Sequence, residues 1–146
     1  MLAVQAKSNA LTVDVEDYFH VAAFDTTVSP AQWSSLPQRV ARNTDILLQQ
    51  FDKHQAKATF FILGWVAERF PDLVRQIHAA GHEVASHGYS HAKATVQSPA
   101  DFFQDVQRAK ALLEDITGNA VIGYRAPSFS IGKTNEWAFQ ALQQAG

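Results

Sequence analysis

Three short runs in this chain carry side chains that can do chemistry. The first is Asp14-Val15-Glu16-Asp17. Three acids within four positions repel one another, and a bound cation is the simplest way to offset that. A solvated acidic loop or a helix cap is the plainer alternative. The second is His87-Gly88-Tyr89-Ser90-His91. Two histidines four apart meet on one face of a helical turn and can chelate one ion through neutral imidazoles; the plainer alternative is a pair of surface histidines in a polar loop. The third is Gly123-Tyr124-Arg125-Ala126-Pro127-Ser128. An Arg at a strand end, followed by Pro, is rigidly presented and can pair bidentately with a carboxylate; alone, it reads as a structural salt bridge. Two His and one carboxylate with an open fourth position form a catalytic zinc pattern, so the question is whether the three runs share one place.

The elements between them predict that they do. Leu11-Thr12-Val13-Asp14-Val15 reads as a first strand with acids at its C-terminal end. Ser35-Leu36-Pro37-Gln38 predicts a helix start, with Ser35 as cap, Gln38 at the capping-box position and Pro37 in the first turn. Val40, Leu47 and Phe51 recur at helical spacing and predict the buried face of that helix. Ala58-Thr59-Phe60-Phe61-Ile62-Leu63 is a continuous apolar run, as in a strand buried on both faces of a parallel sheet. Pro71 predicts the next helix, with Leu73, Val74 and Ile77 inward and Gly81 at its C-cap. Glu83-Val84-Ala85-Ser86 reads as a third strand. Ser98-Pro99-Ala100-Asp101 repeats the cap-then-Pro signature before a helix carrying Phe102, Val106, Leu113 and Ile116 to Gly118. Ala120-Val121-Ile122-Gly123-Tyr124 predicts a fourth strand, and Trp137, Phe139, Ala141 and Leu142 a last helix. Four strand–helix units imply one α/β domain over residues 1–146, with a parallel sheet and right-handed crossovers. The active edge of such a sheet is formed by the C-terminal ends of its strands. The three runs fall at the ends of strands one, three and four, on that shared edge.

Composition narrows the function class. The chain has 146 residues, 47% hydrophobic and 18% charged, ordinary globular usage and long enough to bury roughly 70% of its unfolded surface. A net charge of -2 leaves no basic footprint for nucleic acid. The absence of Cys excludes disulfides, thiolate catalysis and Cys-based zinc sites. Met1 to Ala10 has one Lys and no long apolar run, so it does not read as a signal peptide. No stretch approaches the roughly 18 apolar residues of a membrane span, and a soluble cytoplasmic protein is expected. His82-Glu83-Val84-Ala85-Ser86-His87 resembles a zincin helix with one residue too many, so His82 reads as a satisfied structural residue.

The three ordered runs resemble the polysaccharide deacetylase family, also called the NodB-homology domain, which carries an acidic motif after strand one, a His-x-x-x-His motif and an Arg-x-Pro motif. The matches are Asp14 to Asp17, His87 to His91 and Arg125 to Pro127. The segment from Gly81 to His91 and Ala58-Thr59-Phe60-Phe61 add to the similarity, and Asp14-Val15-Glu16-Asp17-Tyr18-Phe19-His20 resembles a subgroup associated with exopolysaccharide production. The resemblance implies an irregular (β/α) barrel and a divalent ion, most often zinc. It implies that Asp14 is the general base, His87 and His91 are metal ligands, Arg125 holds Asp14 ionised and oriented, and the backbone N–H of Ser128 helps stabilise the oxyanion. The common family motif has two adjacent Asp, the second binding metal, whereas here Val15 follows the base. Glu16, on the same strand face as Asp14, is then the first choice for third ligand, with Asp17 replacing it if the strand bulges. His20, His54 and His78 match no motif of the family.

The implied reaction is removal of N-acetyl groups from an amino-sugar polymer by amide hydrolysis. The family's barrel continues for about three further strands, by resemblance, and a later Leu-x-x-His segment supplies its general acid. This sequence stops after its fourth unit, so about a half-barrel is expected, binding metal with little or no turnover and able to self-associate through an exposed sheet edge. Two other readings accompany this one. An allantoinase-like ring-amide hydrolase would act on a small ureide, and a substrate screen separates it. A non-catalytic carbohydrate-binding or assembly module would keep a structural or vestigial metal site.

Overall fold

A computed structural model describes residues 9–146; the reading of Met1 to Ala10 as no signal peptide falls mainly outside the described residues. The element order is β1 (Thr12–Val15), α1 (Val40–Lys53), β2 (Thr59–Ile62), α2 (Gly64–Arg69), α3 (Pro71–Ala79), β3 (Glu83–Ser86), α4 (Pro99–Thr117) and α5 (Trp137–Ala145), with short 3₁₀ turns between. The three strands form a parallel sheet in the order β1-β2-β3. Val15, Ile62 and Ser86 stand side by side at its C-terminal edge, the edge at which the sequence places its ionisable groups. Among the described residues no helix is long and apolar enough to cross a membrane.

β2 alternates in burial. Phe60 and Ile62 of β2 are fully buried while Thr59 and Phe61 are half-buried, so β2 is not covered on both faces as its apolar run suggested. The covered face packs Val15, Phe60, Ile62 and Val84 against Val66, Val74, Ile77 and Leu113 of α2, α3 and α4. Thr12, Asp14, Phe61 and Glu83 share the other, more open face. A second cluster, with Phe102, Val106, Ala138 and Ala141, fastens α5 to α4.

The expected fourth strand is reduced to one parallel bridge, Ser86 to Tyr124. The reason lies in α4. Glu114 Oε1 accepts the Val121 N–H at 2.9 Å and Lys110 Nζ donates to the Val121 carbonyl at 2.8 Å, so side chains satisfy backbone groups that a ladder would have used. The bridge survives because Gly123 approaches β3 closely; a Cβ there would stand 2.9 Å from Ala85 Cβ.

The start of α1 also differs from expectation. Ser35 closes a 3₁₀ turn, Pro30–Ser35, and α1 begins at Val40. Its cap is remote in sequence. Asp17 Oδ2 accepts the N–H groups of Arg39 at 2.6 Å and Val40 at 3.0 Å, while Oδ1 accepts from Tyr18 at 3.0 Å. A carboxylate at a helix N-terminus satisfies orphan donors and complements the macrodipole. The buried face of α1 is Val40, Thr44 and Leu48, and Leu47 turns outward. Helices α3 and α4 follow the sequence pattern: Leu73, Val74 and Ile77 are buried, Ser98 Oγ accepts from Asp101 N–H, and Gly118 ends α4 in the left-handed region.

His20 closes the turn after β1. Its Nδ1 accepts the Asp17 N–H at 2.8 Å, and its ring lies edge-on to Phe19, Trp33 and Trp65 at 4.5, 4.5 and 4.9 Å. Burial pushes its pKa down to about 4.

Two predictions follow from this turn. Asp17→Ala removes a buried carboxylate and strands two helix N–H donors, so it should cost about 2 to 3 kcal/mol in urea unfolding; a loss under about 0.5 kcal/mol, the size of an ordinary surface change, would refute the capping role. His20 is neutral when folded and takes up a proton when unfolded between pH 6.5 and about 4. Its contribution is therefore present above pH 6.5 and is lost as pH falls. Moving the ion-free protein from pH 7 to pH 5 should cost about 2 kcal/mol more in wild type than in His20→Asn.

Candidate metal centre

The strand ends bring the three runs together. Asp14 points from the open face of β1, and Glu16 lies just beyond the strand. His87 directly follows β3, and the Ser86–Tyr124 bridge delivers Arg125 beside it. Asp14, Glu16, His87, His91, Arg125 and Ser128 all line one cleft of about 170 Å³.

Three of these residues form a compact set. One ligand atom each from Glu16, His87 and His91 lies within 4.8 Å of the others. Glu16 Oε2 is 3.0 Å from His91 Nε2 and 4.0 Å from His87 Nε2, yet it is buried and makes no hydrogen bond. His87 Nδ1 lies 2.8 Å from the Arg125 carbonyl. A carbonyl can only accept, so Nδ1 carries the proton and Nε2 presents a lone pair to the cleft. Burial holds His87 below the ordinary imidazole value, in the neutral form that binds metal. Burial works against ionisation of Glu16, but the His91 imidazole 3.0 Å away outweighs it and its pKa is lowered. A buried carboxylate oxygen without a donor, faced by two imidazole nitrogens, is the environment a divalent cation satisfies.

Asp17, the substitute third ligand of the sequence reading, is not in this set, because its carboxylate is committed to Tyr18, Arg39 and Val40. β1 ends without the bulge that would have turned Asp17 inward. Nor do the two His share a helical turn. Residues 87–91 form an irregular loop with Gly88 at φ +76 and His91 at φ +56. The loop is strapped from two sides. Gly64 and Trp65, at the start of α2, donate to the carbonyls of Gly88 and Tyr89 at 2.9 and 3.0 Å. Asp105 of α4 accepts from Tyr89 N–H at 2.7 Å, Ser90 N–H at 3.2 Å and Ser90 Oγ at 2.7 Å.

Sequence reasoning missed Asp105. The available signal was an acid on the apolar stripe of α4, three residues after Phe102 and four before Ala109.

Arg125 and Asp14 form the second part of the site. Arg125 Nη1 bonds Asp14 Oδ1 at 2.5 Å and Nη2 bonds Thr12 Oγ1 at 2.9 Å, with the guanidinium 4.0 Å over the Phe61 ring. Asp14 is thus held at the cleft wall while its side chain stays about a third exposed. Ser128 and Phe129 follow in the left-handed region, at φ +53 and +51, which sets Ser128 on the cleft rim. His82 is a structural residue: its Nδ1 accepts the Ala58 N–H at 3.2 Å beneath Phe51 and Phe60.

Comparisons with known proteins identify the family. A family model described as polysaccharide deacetylase matches residues 6–146. The chain is 33% identical over 100 residues to a peptidoglycan-N-acetylglucosamine deacetylase of Bacillus cereus, covering 68% of this chain and 37% of that protein. It is 36% identical over 91 residues to a peptidoglycan deacetylase of Helicobacter pylori, covering 62% and 31%. The solved Bc1960 peptidoglycan N-acetylglucosamine deacetylase matches with a TM-score of 0.69 at 25% identity, over 93% of this chain and 52% of that one. The chain spans about a third of the length of these curated relatives. With a family match over nearly all of its residues and the ordered motifs converging in one cleft, the chain belongs to the polysaccharide deacetylase family.

Proposed function

We propose that this chain carries the metal-binding half of a zinc-dependent N-deacetylase acting on an N-acetylglucosamine-containing polymer, of the peptidoglycan or exopolysaccharide kind. The observation that carries the reading is the unsatisfied Glu16 Oε2 between His87 and His91, one cleft wall away from the Asp14–Arg125 pair. Family members are in general metal-dependent. Two imidazoles and one carboxylate suit zinc, with a fourth position open to the reaction. Similarity to peptidoglycan deacetylases supports the substrate class.

The ion, when bound, supplies Lewis acidity, polarising the acetyl carbonyl and acidifying a water molecule. Asp14 receives the proton of the attacking water, and Arg125 holds it in the orientation that transfer needs. The Ser128 N–H, presented by the left-handed turn after Pro127, serves the developing oxyanion, a contribution of about 3 kcal/mol where such a donor is well placed.

Metal content tests the site. The purified chain should hold about one zinc per chain, lost in both His87→Ala and His91→Ala; no zinc in a folded wild type overturns the reading. Acetate release from N-acetylglucosamine polymers, assayed on the protein at its natural full length, should fall at least about 100-fold in Asp14→Asn while zinc content is unchanged. Asp105→Ala frees the His loop, and zinc affinity should fall about 10-fold or more; an unchanged dissociation constant would show that α2 alone fixes the loop.

A further inference from the structure

One buried nitrogen in the run from Asp14 to His20, His20 Nε2, is used by neither the metal set nor the fold. Among the described residues three buried side-chain atoms lack a hydrogen-bond partner: Glu16 Oε2, His20 Nε2 and Trp33 Nε1. One is an acceptor and two are nitrogens of neighbouring rings. His20 is 1% exposed, with its ring 4.5 Å from that of Trp33. Its Nδ1 accepts the Asp17 N–H, so the proton of the neutral ring sits on Nε2. His91 lines both the metal cleft with Glu16 and the neighbouring cleft with His20, so the two groups flank the same imidazole. A donor and an acceptor, both desolvated and both unspent, thus lie within one short turn.

We propose that His20 is a positioning residue for the metal centre, its Nε2–H donating to the Glu16 carboxylate across one internal water and fixing which carboxylate oxygen meets the ion. The inference rests on Glu16 being the third ligand. A ligating carboxylate that is itself hydrogen-bonded keeps its orientation when the ion leaves, and such partners are worth about 10- to 100-fold in metal affinity. The aromatic walls serve the same end: Phe19, Trp33 and Trp65 pack on the ring edge to face, so packing aims the donor. The spacing from Glu16 to His20 then has a physical reason. Asp17 between them supplies the N–H that fixes the His20 tautomer and the carboxylate that caps α1.

Side-chain reach separates the two nitrogens of His20. Asn at this position can keep an acceptor near Nδ1 but cannot reach as far as Nε2; Gln reaches far enough to keep a donor there. Zinc affinity is measured by competition with a chromophoric chelator for wild type, His20→Asn and His20→Gln, with the Tm of each ion-free protein recorded. His20→Asn should bind zinc about 10- to 100-fold more weakly at a Tm close to wild type, and His20→Gln should recover most of that loss. Equal affinity in wild type and His20→Asn overturns the proposal. So does an equal loss in both variants that tracks a falling Tm, which marks a purely structural histidine. A folded wild type that binds no zinc removes the third-ligand reading along with this one; that outcome is recognised because Glu16→Gln and His87→Ala then also leave zinc content unchanged.

Discussion

Arg125 joins the three chemically active runs through three separate groups. Its N–H donates to the Ser86 carbonyl at 2.9 Å, holding the segment against the end of β3. Its carbonyl accepts from His87 Nδ1 and so sets the tautomer that frees Nε2. Its guanidinium crosses the open sheet face to Asp14 and Thr12 on β1. Loss of the backbone contacts would let His87 rotate, and loss of the guanidinium would unpin Asp14. The single Ser86–Tyr124 bridge therefore does what a full fourth strand was expected to do. It places one residue correctly, while Glu114 and Lys110 satisfy the backbone beside it.

The acidic run divides its work by direction. Asp14 faces the cleft wall, Glu16 faces the two imidazoles, and Asp17 turns away to cap α1. Alternation along an extended chain puts Asp14 and Glu16 on one side and Asp17 on the other. The repulsion expected of neighbouring acids is relieved because each meets a different partner: a guanidinium, a pair of imidazole nitrogens, and the N-terminus of a helix. The helix-cap reading of this run is realised at Asp17, and Glu16 sits in the cluster that could hold a cation.

Much of this was legible because periodicity and ordered motifs report on local structure and on strand ends. The parallel sheet, the buried faces of α3 and α4, and the convergence of Asp14, Glu16, His87, His91 and Arg125 on one edge follow from such signals. What sequence did not disclose depends on contacts between distant residues. The cap of α1 comes from Asp17, more than twenty residues upstream, so the local Ser35–Gln38 signature misled. Asp105 reaches the His loop across fifteen residues, a relation no helical pattern encodes. The fourth strand failed because side chains of α4 competed for its backbone, and β2 read as doubly buried because Phe61, an apolar residue, serves as a platform for Arg125.

The left-handed residues show how the site is held. Among the described residues four non-glycine positions have positive φ, and three of them, His91, Ser128 and Phe129, belong to the two loops that form the cleft. Such conformations cost of order 1 to 3 kcal/mol each and persist only where surrounding structure fixes them. A regular helix would carry no such cost, but it would hold His87 and His91 on one rigid face with both rings leaving the same axis. The loop instead lets His87 rise from a strand end while His91 returns to meet Glu16 from another side. The conformation is maintained by charge-assisted bonds from Asp105 and by backbone donors of α2. The rigid helices thus transmit their order to ligand atoms that lie on irregular backbone, and the strain is concentrated where the three donors must converge.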